Sequence, residues 1–84
     1  MRKQVEVKQG DRIWDSIRDT SEQAMYRVTE HMKKDHDPEV VRIAGLVQWK
    51  LIFGKGTSEG TRVFTEHGFE VEIKDVPTQP KCQS

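Results

Sequence analysis

The stretch Pro38-Glu39-Val40-Val41-Arg42-Ile43-Ala44-Gly45-Leu46-Val47-Gln48-Trp49-Lys50-Leu51-Ile52-Phe53 decides the fold, and it supports two readings. Asp37-Pro38-Glu39 has the grammar of a helix start: a side chain able to cap, a proline in the first turn, and an acid near the positive end of the dipole. Against this, the apolar residues from Val40 to Phe53 point in every direction on a helical wheel. At period two the odd positions read Val41, Ile43, Gly45, Val47, Trp49, Leu51 and Phe53, with no polar residue among them. Arg42, Gln48 and Lys50 fall on the even positions. This alternation predicts a long strand over 40–53. A helix over 38–53 is the competing reading.

Downstream, the strand reading finds a partner. Gly54-Lys55-Gly56-Thr57-Ser58-Glu59-Gly60 has the composition of a loop. From Thr61 the odd positions are again mostly apolar: Val63, Thr65, His67, Phe69, Val71 and Ile73. Folding the chain back at residue 57 sets Leu51 against Val63, Trp49 against Thr65, Ile43 against Val71 and Val41 against Ile73. Arg42 then opposes Glu72, a favourable cross-strand charge pair. A tight turn at His67-Gly68 would mix the two faces and ranks lower.

Upstream, Lys3 to Lys8 alternates, with Val5 and Val7 on one side, and predicts a short half-buried strand. Gly10 breaks it, and Asp11 is placed to cap a helix beginning there. Ile13, Trp14, Ile17, Ala24, Met25, Val28 and Met32 form a helical stripe between Asp11 and Lys34. Thr20-Ser21-Glu22-Gln23 matches a capping box that would split this helix in two. The stripe stays in phase through Ser21, which favours one helix.

The expected fold is therefore α+β. It is a small β-α-β-β domain over residues 1–75, a three-stranded antiparallel sheet with a long hairpin and one long helix packed on one face. Ile13, Ile17, Ala24 and Val28 would meet Val41, Ile43, Val47, Leu51, Val63, Val71 and Ile73 in the core. Residues 76–84, with Pro77 and Pro80 among small polar residues, read as a disordered C-terminal tail. This order of elements resembles that of dodecins, small flavin-storage proteins. The resemblance covers architecture and carries over no site residue.

Composition narrows the function classes. The 84 residues hold 14 Lys+Arg and 14 Asp+Glu, so the net charge is zero. The charges are evenly spread, which leaves no basic stripe for nucleic acid and no acidic tail. Only 33% of residues are hydrophobic, and the longest apolar run is Ile43 to Val47. Neither a membrane span nor an N-terminal signal segment is expected. The lone Cys82 points to a reducing, cytoplasmic setting without a disulfide framework.

Candidate chemistry is sparse. His31 and Asp35 share a helical face, and His36, Asp37 and His67 extend the set, but this spacing is common by chance and no metal is expected. The segment Gly54 to Ser58 offers backbone N–H groups, two hydroxyls and an ammonium, yet it lacks the spacing of a phosphate-binding loop. Glu66, Glu70 and Glu72 are read as solvating the polar sheet face. No nucleophile–base pair is legible, so an enzyme is not the favoured reading.

Val40, Ala44, Leu46, Ile52 and Phe64 lie on the even face of the expected hairpin and form an apolar patch that wants a partner. The favoured function is a small non-enzymatic oligomer, a dimer or larger, that binds another macromolecule in an interaction or regulatory role. Such chains are common among accessory proteins of mobile elements. The alternative is an oligomer binding a flat aromatic or nucleotide-like ligand through Trp49, Lys55, Thr57 and Ser58. No cofactor is expected.

Overall fold

The computed structural model describes residues 2–77. Its elements run β1 (Arg2–Gln9), β2 (Arg12–Arg18), α1 (Ser21–Met32), α2 (Pro38–Ile52), α3 (Gly56–Glu66) and β3 (Glu70–Val76). The three strands form one antiparallel sheet in the order β2-β1-β3. The α+β class and the three-stranded antiparallel sheet are as expected. The β-α-β-β order, the long hairpin over 40–75 and the single long helix are not, and with them goes the likeness in element order to dodecins. Of the expected tail, Val76 ends β3, and residues 78–84 lie outside the described residues.

The first departure is at residues 11–18. Ile13, Trp14 and Ile17 are spaced as on a helix, but they lie on a strand. A two-residue loop at Gly10-Asp11 turns β1 directly into β2, pairing Val7 with Trp14 and Val5 with Ser16. Trp14 then shares the inner face with Val5 and Val7, while Ile13 and Ile17 point outward, Ile13 with 57% of its surface exposed. The capping-box sequence marks where α1 begins, with Thr20 as its N-cap. Thr20 Oγ1 accepts a hydrogen bond from the Gln23 N–H at 3.1 Å.

The second departure is α2. Asp37 caps it by accepting from the Glu39 N–H at 2.9 Å, and Pro38 occupies its first turn. Its buried residues Val40, Ile43, Ala44, Val47 and Gln48 recur at three- and four-residue spacing, and Leu51 continues the stripe half-buried. This is the regular apolar face of a packed helix. The helical wheel is isotropic because Leu46, Trp49, Ile52 and Phe53 add a second apolar face on the other side. The two faces together imitate an alternating strand.

The third departure is α3, which occupies most of the stretch read as a loop and the start of a strand. Gly60 is buried where α3 meets the other two helices. A Cβ there would lie 2.6 Å from Met25 Sδ and 3.2 Å from Val47 Cγ1, so glycine permits this close approach. Gly68 ends the helix at φ 85°. Its N–H donates to Thr65 O at 3.2 Å, and the Phe69 N–H donates to Phe64 O at 3.0 Å. The Phe64 and Phe69 rings pack at 5.6 Å. Both hydrogen bonds and the apolar contact define a Schellman termination. His67-Gly68 is thus a helix end rather than a hairpin turn, and it delivers the chain into β3, which pairs with β1 instead of with residues 41–51.

Helix α1 packs on β1 and β2 and α3 on β3 at the inner sheet face, and α2 packs on α1 and α3. Val5 and Val7 meet Ala24, Met25, Val28, Met32, Val40, Ile43, Ala44, Val47, Phe64 and Phe69 in one core. Of the expected core, Ile43, Val47, Ala24 and Val28 are buried, whereas Ile73 retains 41% exposure. Gln48 is the polar member of the α1–α2 interface. Its amide donates to Thr29 Oγ1 at 3.1 Å and to Glu30 Oε2 at 2.6 Å, and its carbonyl accepts from Lys33 Nζ at 2.9 Å. Each polar atom of the Gln48 amide therefore has a partner, as burial demands.

Candidate functional site

The outer face of α2 gathers Leu46, Trp49, Ile52 and Phe53, with exposures of 40%, 51%, 63% and 61%. Three- and four-residue spacing stacks these side chains along one side of the helix. The Trp49 and Phe53 rings meet at 4.7 Å with an interplanar angle of 53°. Lys50 Nζ stands 5.8 Å from the Trp49 ring centroid and 3.9 Å from Glu59 of α3. The Gly54 N–H donates to Leu51 O at 3.1 Å and the Lys55 N–H to Lys50 O at 2.9 Å, so α2 stops just past Phe53. Phe53 is left at the helix end with most of its ring in solvent.

Of the residues expected to form an interface, only Leu46 and Ile52 reach the surface. Val40, Ala44 and Phe64 have no exposed area. The strand reading places all three on an outer face, whereas the helix turns Val40 and Ala44 to the inside with Ile43 and Val47. Trp49, Phe53, Leu46 and Ile52 make the contiguous patch instead. The sequence signal for it is the set of apolar residues left over once the inner stripe of α2 is assigned.

The ligand residues separate in the same way. Trp49 is half exposed, as a stacking platform requires. Lys55, Thr57 and Ser58 lie beyond the end of α2, with Thr57 and Ser58 in the first turn of α3, which has no side-chain cap. None of the three makes a side-chain hydrogen bond or ion pair among the described residues. The hairpin loop expected to bring them near Trp49 does not exist.

The His/Asp set divides too. Arg12 forms an ion pair with Asp35 and a second one with Asp37 at 3.4 Å, while the Asp37 N–H donates to Asp35 Oδ1 at 2.9 Å. The Arg12 guanidinium, then the Asp37 N–H, hold the Asp35 carboxyl below the usual aspartate range, and Asp35 raises Arg12. Arg12 also lies 5.0 Å over the Trp14 ring. This cluster anchors the β2 start to the α2 cap. His67 Nδ1 lies 2.8 Å from Val63 O. Among the described residues no group of three His, Cys, Asp or Glu side chains is placed to hold a metal.

The outer sheet face carries a row of carboxylates. Glu6 faces Asp15 on β2 and Glu72 on β3, with Lys8 opposite Glu70 and Lys74 opposite Gln4. Glu66, expected on this face, is on α3 and pairs with Arg62 at 3.3 Å. No helix of the described residues is long and apolar enough to cross a membrane. The chain matches no model of a known protein family, no curated protein and no solved structure.

Proposed function

We propose that this chain is a small non-enzymatic interaction protein that pairs with a second copy of itself through α2 and, as that dimer, binds another macromolecule in a regulatory role. The observation that carries the reading is the contiguous exposed patch of Leu46, Trp49, Ile52 and Phe53 on one helix face. The exposed parts of these four side chains amount to roughly 400 Å². A stable interface takes about 800 Å² per partner, somewhat over half of it apolar, so the patch supplies most of the apolar share.

Two further features favour a second copy as the occupant. Gly45 sits mid-helix beside the patch, where glycine costs about 1 kcal/mol relative to alanine. Nothing lies within 4 Å of a Cβ built on it, so packing inside the monomer does not demand it. A second helix crossing there does gain from the missing side chain. Charge also runs along the face. Glu39 lies in the first turn of α2 and Lys50 in its last. An antiparallel, two-fold contact centred near Gly45 and Leu46 sets acid against base twice and brings Arg42 of each copy towards the partner copy's Trp49.

Size-exclusion chromatography with light scattering at micromolar concentration tests this. The wild type should run at twice 9.8 kDa, and Trp49→Lys, a change outside the core, should run as a folded monomer. A monomeric wild type overturns the pairing. The half-exposed Trp49 ring beside Phe53 and Lys50 also favours a second reading, stacking of a flat ligand. Quenching of Trp49 emission by a flavin or nucleotide without dissociation of the dimer would support that reading over the first.

A further inference from the structure

We propose that the cavity between the end of β2 and the outer face of α1 is a binding site for a small phosphate monoester, built on Arg18 and Arg27. The cavity measures about 350 Å³ and is lined by Arg18, Gln23, Tyr26 and Arg27. It is a shallow depression open to solvent, so a ligand would be held by the side chains around it rather than enclosed. The decisive feature is how the arginines of the chain are used. Arg2 meets Asp19, Arg12 meets Asp35 and Asp37, Arg42 meets Glu39, and Arg62 meets Glu59 and Glu66. Arg18 and Arg27 are the remaining two, and among the described residues neither meets a carboxylate. In a chain with as many acids as bases, the two guanidiniums without a carboxylate line the same cavity.

Their placement follows from the fold. Gln23 and Arg27 are four residues apart on α1, and Tyr26 lies between them on the outward side. Arg18 ends β2 just before the turn into α1. Its Nη1 donates to Ile17 O at 3.1 Å, which fixes one edge of the guanidinium and leaves the other for a ligand. Two guanidinium forks supply parallel N–H pairs that match the oxygens of a phosphate dianion. The Gln23 amide can donate alongside them, and the partly exposed Tyr26 ring offers a flat wall for an aromatic body.

A nucleic acid strand fits less well. It needs a basic stripe that follows successive phosphates. Here Arg18 and Arg27 are the only cations lining the site, a single spot rather than a line of charges that an extended polyanion could follow. The ligand class is therefore a compact monoester such as a nucleoside monophosphate.

The test is titration of the intact protein, followed by amide chemical shifts, with inorganic phosphate, adenosine monophosphate, adenosine and a short single-stranded oligonucleotide. Adenosine monophosphate should give saturable shifts at Arg18, Gln23, Tyr26 and Arg27, inorganic phosphate weaker shifts at the same residues, and adenosine none. Arg27→Gln, an exposed change that leaves the fold intact, should weaken binding by about tenfold or more, while Arg62→Gln leaves it unchanged. The proposal is overturned if no saturable shift appears at these residues, if Arg62→Gln weakens binding as much as Arg27→Gln, or if the oligonucleotide occupies them more tightly than the monophosphate.

Discussion

The outer face of the sheet and the outer face of α2 both meet solvent, yet they are built from different residues. On the sheet, Gln4, Glu6, Lys8, Asp15, Glu70, Glu72 and Lys74 face outward, and the exposed Ile13 stands among them. Single apolar residues in a charged field are ordinary surface. On α2, four large apolar side chains are contiguous and two of their rings touch. Exposure alone does not separate the two faces. Contiguity does, and it separates a surface made for water from one made for contact.

The inner face of α2 sharpens the comparison, because the same helix carries both kinds of apolar residue. The largest expected effect is there. Ile43→Ala should cost about 2–5 kcal/mol by urea denaturation, and Phe64→Ala, on α3 in the same core, about 3–5 kcal/mol, as large-to-small changes in a packed core do. Ile52→Ala, on the outer face, should leave the stability of the monomeric Trp49→Lys background within about 0.5 kcal/mol. A loss at Ile52 equal to that at Ile43 would break the distinction between the two faces.

Gln48→Ala comes next. It removes the amide that engages Thr29, Glu30 and Lys33, and should cost about 1–3 kcal/mol. Gly45→Ala has a smaller effect with a sign that depends on the readout. In the Trp49→Lys monomer it should add up to about 1 kcal/mol through helix propensity, while in the wild type it should weaken dimerisation measured by dilution. A variant that strengthened both would remove the case for a close helix crossing at Gly45.

The smallest effect concerns acid. The folded-state value of Asp35 lies below its unfolded value because of Arg12. Its contribution to stability is therefore complete above the unfolded aspartate value, near pH 4, and is lost as pH falls through the lower folded value. Denaturation midpoints of Arg12→Gln should show a shallower loss below about pH 4 than those of the wild type. Identical acid limbs would mean that Asp35 gains nothing from Arg12.

Several local signals are legible in the chain before any tertiary information. Val5 and Val7 mark a strand, Thr20 and Gln23 mark a helix start, and Asp37-Pro38-Glu39 marks another. Each acts through neighbours a few residues away, so the sequence contains all that is needed. The candidate site is legible in part. Leu46 and Ile52 stand out from sequence as patch residues and Trp49 as a stacking platform, but a period-two pattern groups Val40, Ala44 and Phe64 with the first two and puts Trp49 on the opposite face.

What only the tertiary structure decided was which apolar residues lie inside. Residues 40–53 hold two apolar faces, and periodicity weighs a core side chain and a surface side chain equally. Val40, Ile43, Ala44 and Val47 are distinguished from Leu46, Trp49, Ile52 and Phe53 by what packs on them: Met25, Val28 and Met32 of α1 and Phe64 of α3 in the same core. The partner of β3 was decided in the same way. Residues 70–76 carry an alternation that suits either residues 41–51 or β1. Gly68 ends α3, Phe69 packs on Phe64, and the strand emerges beside β1, where Val71 meets Val7. Helix caps are local and legible in the sequence, whereas strand pairing and burial depend on contacts between distant segments and exist only once the chain has folded.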